Sequence, residues 1–344
     1  MLDKSRLSVV AELIRDHITL DGIEQYCSET GVCQEDFVAI RPQECEGEIF
    51  AVDGSNVAVC DWSVANLNFI RAGYAVYRGR EWQRSAITYD DVFLADPRLI
   101  NDQFAPHLER LDQDEIDLKE SDLDRLSTYF RELQEYVALN EAILEAHAGD
   151  LILYDGSFDI FEPLRSCLNV IFARAETKDV GLLAVSKSSS FSWGEGITLP
   201  FLQHTSYAGS LLAPGMAWYL SLKDKAVDQA QATDHRQRKW DGETYIVRFD
   251  GDSDRAFRVD VPSYLNGRIA SVLEAAAANS CSAECLGYPH ALFRAHRDIR
   301  ISSQEGGFLR LRLMEMLEEM GMSHAQVRML MQDFHDVLEM RPRI

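Results

Sequence analysis

Apolar residues alternate between helical spacing and short continuous runs along this chain of 344 residues. Between residues 6 and 27 they recur at helical spacing, which predicts one or two N-terminal amphipathic helices. From residue 48 onward, apolar runs at 48–53, 57–62, 67–76 and 83–88 predict strands. Strands that follow one another at such short spacing indicate an antiparallel meander.

An acidic segment with helical periodicity, residues 107–147, follows the meander. We expect its apolar stripe to face the sheet, and the stripe comprises Leu126, Phe130, Leu133, Val137 and Leu144. The remaining predicted elements are a helix over 163–176, strands over 180–185, 245–249 and 256–261, a helix over 266–279 and a helical region from Phe308 onward.

The pattern predicts one α/β domain over residues 1–344, because it contains no low-complexity linker and no solenoid repeat. Within that domain, a helical segment (1–45) precedes the core with its insertions (46–300), and a second helical segment (301–344) follows. No apolar stretch reaches the roughly 18 residues of a membrane helix, and the N-terminus lacks the apolar core of a signal peptide. Seven scattered cysteines are typical of a reducing compartment. We therefore expect a cytoplasmic protein with no membrane partner.

The formal net charge of −22 bears on possible partners. A chain that coats nucleic acid nonspecifically needs a local excess of Lys and Arg, so this charge argues against that class. An enzyme that acts on nucleic acid is still compatible with it. Such enzymes gather carboxylates around metal ions and can confine their basic residues to one channel.

The tripeptide Asp-Gly-Ser occurs twice, each time after an apolar run. The first copy is Asp53-Gly54-Ser55 and the second is Asp155-Gly156-Ser157. The glycine lets the backbone turn as it leaves the sheet, so we expect both aspartates at strand ends. One copy alone is more simply a turn with a solvated aspartate. Two copies in one sheet indicate carboxylates that could share a divalent cation.

Two further segments carry candidate chemistry. Lys187 follows a third apolar strand, where it could stabilise charge on a phosphate, although a solvated lysine is the simpler alternative. Near the C-terminus, residues 287–296 bring two histidines among basic residues. A histidine is more often structural than a ligand, so neither segment is decisive by itself.

Taken in order, these motifs resemble the NurA nuclease family, and the resemblance spans residues 48–300. It is carried by Asp53-Gly54-Ser55, the acidic helix, Asp155-Gly156-Ser157, Val185-Ser186-Lys187, Phe257-Arg258-Val259-Asp260-Val261-Pro262 and the stretch from Gly287-Tyr288-Pro289 to Ala295-His296. The resemblance implies an RNase H-like mixed sheet core with flanking helices. It also implies a manganese-dependent nuclease that acts on single-stranded DNA and resects duplex DNA from the 5′ end. Family members form homodimers and work with the hexameric translocase HerA.

The resemblance assigns roles to individual residues. Asp53 and Asp155 match the family's metal-binding aspartates, His296 matches the histidine of the last motif, and Lys187 matches a basic position beside the metals. A metal-binding glutamate precedes the second aspartate on the helix. Glu135 fits it on spacing, but Glu132 fits on its place beside the apolar stripe, since Glu135 is expected further toward the polar side. Both remain candidates.

The residue types suit this chemistry independently of the resemblance. Two divalent cations about 4 Å apart can activate a water and stabilise the leaving oxygen of a phosphodiester. Carboxylate oxygens with one imidazole favour Mn²⁺ or Mg²⁺. We expect Asp53 to bridge two ions, Asp155 and the glutamate to hold one each, and His296 to complete the second site or relay a proton.

Two basic clusters are candidates for DNA binding. Arg236, Arg238 and Lys239 precede Trp240, and cationic side chains beside an aromatic ring suit phosphate contact and base stacking. The second cluster, around His296, comprises Arg294, Arg297 and Arg300. The Leu- and Met-rich segment 309–338 is expected to serve core or dimer packing.

Two other functions remain open. A catalytically silent relative that keeps the fold as an adaptor for DNA or the translocase would also fit the acidic composition. An RNase H-like enzyme that cleaves RNA would use the same residue types.

Overall fold

The computed structural model describes residues 4–17, 20–62, 66–159, 162–194, 199–229 and 240–331. Its helices are α1 (Lys4–His17), α2 (Leu20–Thr30), α3 (Ile100–Leu108), α4 (Leu126–Glu145), α5 (Arg165–Thr177), α6 (Phe201–Leu212), α7 (Ile269–Ala278), α8 (His290–Ile299), α9 (Ser303–Glu319) and α10 (His324–Met331). Its strands are β1 (Val38–Ala39), β2 (Glu48–Asp61), β3 (Asn66–Arg78), β4 (Glu81–Ala95), β5 (Leu151–Asp155), β6 (Gly181–Ser186), β7 (Phe191–Trp193), β8 (Leu199–Pro200), β9 (Trp218–Ser221), β10 (Asp228–Gln229), β11 (Gly242–Arg248) and β12 (Phe257–Pro262).

Within the described ranges, nine strands form one sheet in the order β1-β9-β11-β12-β6-β5-β2-β3-β4. Strands β2, β3 and β4 form an antiparallel meander, and β5 and β6 continue the sheet parallel to β2. A meander followed by parallel strands on the far side of its first strand is the topology of the RNase H-like fold. The predicted fold class is therefore confirmed. A smaller sheet contains β10, β7 and β8.

The central strands are buried on both faces, which explains their continuous apolar runs. On one face, Val52 and Ile152 join a cluster with Leu133 of α4 and with α5. On the other face, Ala51 and Leu153 join a cluster with residues of α7 and α8. Because side chains alternate along a strand, each central strand serves both layers of helices.

The first Asp-Gly-Ser copy does not end a strand, so the prediction of separate strands over 48–53 and 57–62 is wrong. Strand β2 is continuous from Glu48 to Asp61, because β3 pairs with it at both ends and across Gly54, which lies opposite Ala72. The pairing has one irregularity, between Ala58 and Cys60. Its neighbour β5 is short, and its pairing with β2 stops at Tyr154. Asp53 therefore lies where β2 loses its partner on one side. The second copy does end its strand, as predicted.

The acidic segment is less helical than its periodicity predicts. Residue Asp112 adopts a left-handed backbone conformation with φ of 54°, and the long helix α4 begins only at Leu126. The predicted stripe is buried through Val137. The prediction is wrong for Leu144, which is 59% exposed and faces an open groove beside α5.

The C-terminal helices cover the part of β2 that extends beyond the parallel strands. Val327 and Met331 of α10 pack against Val59 and Cys60 of β2, with Leu309 and Leu313 of α9 around them. Core packing is therefore observed for one side of this segment, whereas Met316, Met320 and Met329 are exposed. Residues 332–338 lie outside the described ranges. Among the residues described, no helix combines the length and apolar character needed to cross a bilayer. None of the seven cysteines forms a disulfide.

Candidate metal centre

The register of β2 and β5 brings the two aspartates together. Val52 lies beside Tyr154 in the parallel ladder, so the next residue of each strand is an aspartate. By strand alternation, Asp53 and Asp155 project from the face that carries Ala51 and Leu153, toward α8. Asp53 is buried, and the Asp155 side chain is 10% exposed. The sequence prediction that these carboxylates converge is thus met, even though only Asp155 ends its strand.

His296 of α8 completes this group from the layer of helices above the sheet. Its Nδ1 lies 2.9 Å from Asp53 Oδ2. The hydrogen bond to Asp53 raises the pKa of His296, and partial burial opposes that shift. One potential ligand atom from each of Asp53, Asp155 and His296 lies within 4.8 Å of the others.

Asp155 is also held by Lys187. The Lys187 ammonium lies 2.6 Å from Asp155 Oδ2 and 5.2 Å from the centre of the Tyr288 ring, a cation–π distance. Burial, with the charge of Asp53 next, nevertheless raises the pKa of Asp155, because these two effects outweigh the ion pair with Lys187. A divalent cation bound between these carboxylates would favour their charged forms.

Glu135 reaches the same strands from the opposite face of the sheet. Helix α4 places its carboxylate against Gly54, where an added Cβ would lie only 2.2 Å from Glu135 Oε1. Tyr154 donates to Oε2 at 2.7 Å, and Arg131 forms an ion pair with Oε1. Burial raises the pKa of Glu135, to which the charges of Asp53 and Asp155 also contribute. The expectation that Glu135 faces the polar side of its helix is wrong, because the side chain is 1% exposed.

Glu132 lies one helical turn earlier, and the three atoms nearest to a Cβ built at Gly54 all belong to Glu135 instead. Its Oε2 is buried without a hydrogen-bond partner. Burial, followed by repulsion from Glu135, raises the pKa of Glu132 to about 7. Of the two predicted glutamates, Glu135 is thus the one beside the strand that carries Asp53.

A buried ion pair supports the loop after Asp155. Asp260, fully buried on β12, accepts hydrogen bonds from Arg258 Nε at 2.9 Å and Nη2 at 3.0 Å. It also accepts from the Thr244 hydroxyl and from the backbone N–H of Phe158, both at 2.9 Å. This explains the Arg-Val-Asp motif of β12, since its charges anchor the segment that leaves Asp155.

The predicted DNA-binding residues divide into two groups. Arg236, Arg238 and Lys239 lie outside the described residues. Arg294 is engaged within the fold, since its Nε donates to Asp298 at 2.7 Å and its guanidinium lies 4.3 Å from the centre of the Trp82 ring.

Arg297 and Arg300 are exposed near His296, and Arg297 lies 3.9 Å from Glu284. The surface beside His296 therefore carries exposed guanidinium groups. Arg294 contributes instead to the docking of α8 on β4.

Three residues at the centre carry no assigned role in the sequence prediction. Tyr288 packs against Lys187, Tyr154 donates to Glu135, and Arg131 pairs with Glu135. Burial, aided by the charges of Asp155 and Asp53, raises the pKa of Tyr288 well above its usual value. Only the four-residue spacing of Arg131 and Glu135 was a visible signal, because such residues are neighbours on a helix.

The residues present fit a divalent cation. Asp53, Asp155 and His296 supply two carboxylates and one imidazole from two strands and a helix, and Glu135 supplies a third carboxylate behind Gly54. Oxygen ligands with one imidazole suit Mn²⁺ and Mg²⁺. Buried carboxylates with raised pKa values, such as Asp155 and Glu135, cluster at functional sites.

The sheet order, with carboxylates at the boundary of its two central strands, defines an RNase H-like protein. Among solved structures, the chain is similar to the NurA nuclease from Sulfolobus solfataricus, with 14% identity, a TM-score of 0.58, and coverage of 94% of this chain and 99% of that one. A second NurA structure aligns with 11% identity and a TM-score of 0.56, over 96% of this chain and 100% of that one. The chain thus has the fold of the NurA nucleases, which confirms the predicted resemblance at the level of the fold. No protein-family model and no curated protein matches the sequence.

Proposed function

We propose that this chain is a NurA-type, divalent-metal-dependent deoxyribonuclease that hydrolyses phosphodiester bonds of single-stranded DNA and of the 5′ ends of duplex DNA. The observation that carries the proposal is the convergence of Asp53, Asp155 and His296 within 4.8 Å. The fold shared with NurA structures at nearly full coverage supports the same function. The proposed cofactor is Mn²⁺ or Mg²⁺, with two ions per centre.

Each residue has a distinct part in this proposal. Asp53 would be a ligand shared by the two ions, Asp155 and Glu135 would each hold one, and His296 would either complete the second site or relay a proton. Lys187 keeps Asp155 oriented through its 2.6 Å contact and is exposed enough to meet a phosphate. When bound, the ions supply Lewis-acid stabilisation of the charge that develops on the phosphodiester.

The direct test is cleavage of single-stranded DNA by the purified chain with Mn²⁺. We expect degradation that stops when the cation is removed by chelation and that falls at least about 10³-fold in Asp53→Ala and in Asp155→Ala. Circular dichroism and thermal unfolding would establish that both variants fold. Full activity in both folded variants would overturn the assigned residues.

The remaining parts of the proposal concern partners. We propose a role in DNA end resection and repair in the cytoplasm, with DNA as substrate, a HerA-type hexameric translocase as partner, and a homodimer. Exposed apolar side chains on α9, such as Phe308, support an association surface there. We also propose that residues 1–344 form a single domain.

Two outcomes would favour the alternatives. A folded chain that binds no Mn²⁺ by calorimetry would indicate the catalytically silent adaptor. Faster cleavage of RNA than of a DNA strand of the same sequence would indicate an RNA nuclease.

A further inference from the structure

Arg131 forms an ion pair with Glu135, whose carboxylate the proposed centre needs as a ligand. Glu135 is 1% exposed, and each of its oxygens has a partner: Arg131 pairs with Oε1, and Tyr154 donates to Oε2 at 2.7 Å. Glu135 is also absent from the group whose ligand atoms lie within 4.8 Å of one another. In this arrangement, Glu135 lies beside the aspartates without joining them.

The local charge explains the pairing. Glu135, Asp53 and Asp155 bring three carboxylates to the point where β5 ends beside β2, and burial of one of them beside the others is costly without a counter-charge. Arg131 supplies that charge. The charge of Glu135 raises the pKa of Arg131 and burial opposes that shift, while Tyr154, Glu132 and Asp53 add smaller effects in the same direction as Glu135.

We infer that Arg131 is a positioning residue that holds Glu135 Oε1 in the metal-free chain and moves to a phosphate of the DNA strand when a divalent cation takes that oxygen. The inference rests on the proposed function. It adds a residue whose contact with DNA depends on the metal.

The chemistry of the guanidinium favours this exchange. Arginine remains charged under all ordinary conditions, and its planar fork fits a phosphate as well as a carboxylate. The Arg131 side chain is 26% exposed, so part of the guanidinium-bearing side chain is accessible from solvent. By linkage, a cation that frees Arg131 raises the affinity for DNA, and DNA raises the affinity for the cation by the same factor.

The first experiment is calorimetric titration of the full chain with Mn²⁺ alone. Arg131→Gln removes the competing charge, so we expect tighter Mn²⁺ binding, on the order of three- to tenfold. Arg174→Gln is a matched control, because the Arg174 side chain is equally exposed, at 26%, and pairs with Asp112 rather than with the centre. We expect Arg174→Gln to bind Mn²⁺ like the unmodified chain.

The second experiment measures binding of an oligothymidine with phosphorothioate linkages, which resist cleavage, by fluorescence anisotropy. We expect Arg131→Gln to lose about tenfold in affinity with Mn²⁺ present and to match the unmodified chain in chelator. Arg131→Lys keeps a charge without the fork and should fall between the two. It also serves if Arg131→Gln does not fold.

The outcomes separate the inference from the proposed function. Mn²⁺ affinity in Arg131→Gln equal to or weaker than in the unmodified chain, or an equal loss of DNA affinity with and without Mn²⁺, would indicate a purely structural arginine and overturn the inference alone. An unmodified chain that binds no Mn²⁺ would overturn both.

Discussion

His296 Nδ1 lies 2.9 Å from Asp53 Oδ2, although 243 residues separate the two along the chain. The contact joins α8 to β2 and brings the imidazole to the proposed centre. It also couples the centre to pH, because the carboxylate favours a protonated imidazole while a metal needs a neutral one.

We expect the affinity for Mn²⁺ to rise with pH through and above 6.5. The hydrogen bond with Asp53 raises the pKa of His296 above that ordinary value, so below the raised pKa a cation must displace a proton. Calorimetry between pH 6 and 8.5 should show a gain of up to about tenfold per pH unit below the pKa.

His296→Ala should bind more weakly and with a flatter pH profile. His147→Ala is the control, since His147 is exposed at the opposite end of the sheet, beside Asp150. If the pH profile of His296→Ala is unchanged, the proton that competes with the metal is not carried by His296.

Substitution of Glu135 should weaken the proposed centre, whereas substitution of Glu132 should have little effect on it. Since Glu135 is the proposed ligand, we expect Glu135→Gln to weaken Mn²⁺ binding and cleavage by at least about 10²-fold, and Glu132→Gln to leave both within a few-fold. Calorimetry and strand cleavage give the comparison. A greater loss in Glu132→Gln would reverse the assignment.

Glu132→Gln should also change stability with pH. Burial raises the pKa of Glu132 in the folded chain from 4.5 to about 7. Between these values the folded state binds more protons than the unfolded state, so this group makes the free energy of unfolding fall as pH rises through the window.

Removal of the carboxylate should therefore stabilise the metal-free chain at pH 8 by about 1–3 kcal/mol, with little effect at pH 4.5. Urea unfolding in chelator at both pH values measures the difference. Equal effects at the two pH values would contradict the raised pKa of Glu132.

Gly54→Ala should disrupt the centre without touching a charged group. The added methyl would lie 2.2 Å from Glu135 Oε1, so either the carboxylate or the strand must shift. We expect about 1–3 kcal/mol of destabilisation from overpacking and at least tenfold weaker Mn²⁺ binding. Gly267→Ala is the control, because an added Cβ there meets no atom within 4 Å. Normal Mn²⁺ affinity in Gly54→Ala would argue against a role for Glu135 at this position.

Asp260→Ala should destabilise the segment that follows Asp155, which Asp260 anchors through the Phe158 N–H. Loss of this carboxylate leaves the buried Arg258 with only its 3.5 Å contact to Asp159 and frees the Phe158 N–H. We therefore expect a loss of about 3 kcal/mol in the free energy of unfolding, at the lower end for a broken buried ion pair. Thr244→Ala removes only one hydrogen bond to the same carboxylate and should cost about 1 kcal/mol. Equal losses in the two variants by urea unfolding would show that the ion pair is not the main anchor.

Much of the fold followed from periodicity. The strands over 180–185 and 256–261 and the helix over 163–176 lie within a few residues of β6, β12 and α5, because a buried strand and an amphipathic helix each leave a distinct repeat of apolar positions. The first Asp-Gly-Ser was misinterpreted as a turn. An isolated Asp-Gly indicates a turn, but here Gly54 leaves space for the Glu135 carboxylate, which comes from the opposite face of the sheet.

The sequence by itself determined which residues are candidates for the chemistry: two aspartates after apolar runs, a lysine after a third, and a histidine in a basic segment near the end of the chain. Their types and order are local information. Only the tertiary structure decided that Glu135 rather than Glu132 lies against β2, that Arg131 pairs with it, and that Asp53 lies within a continuous strand. These outcomes depend on strand register and on helix rotation about its axis, and both are set by packing between residues far apart in the chain.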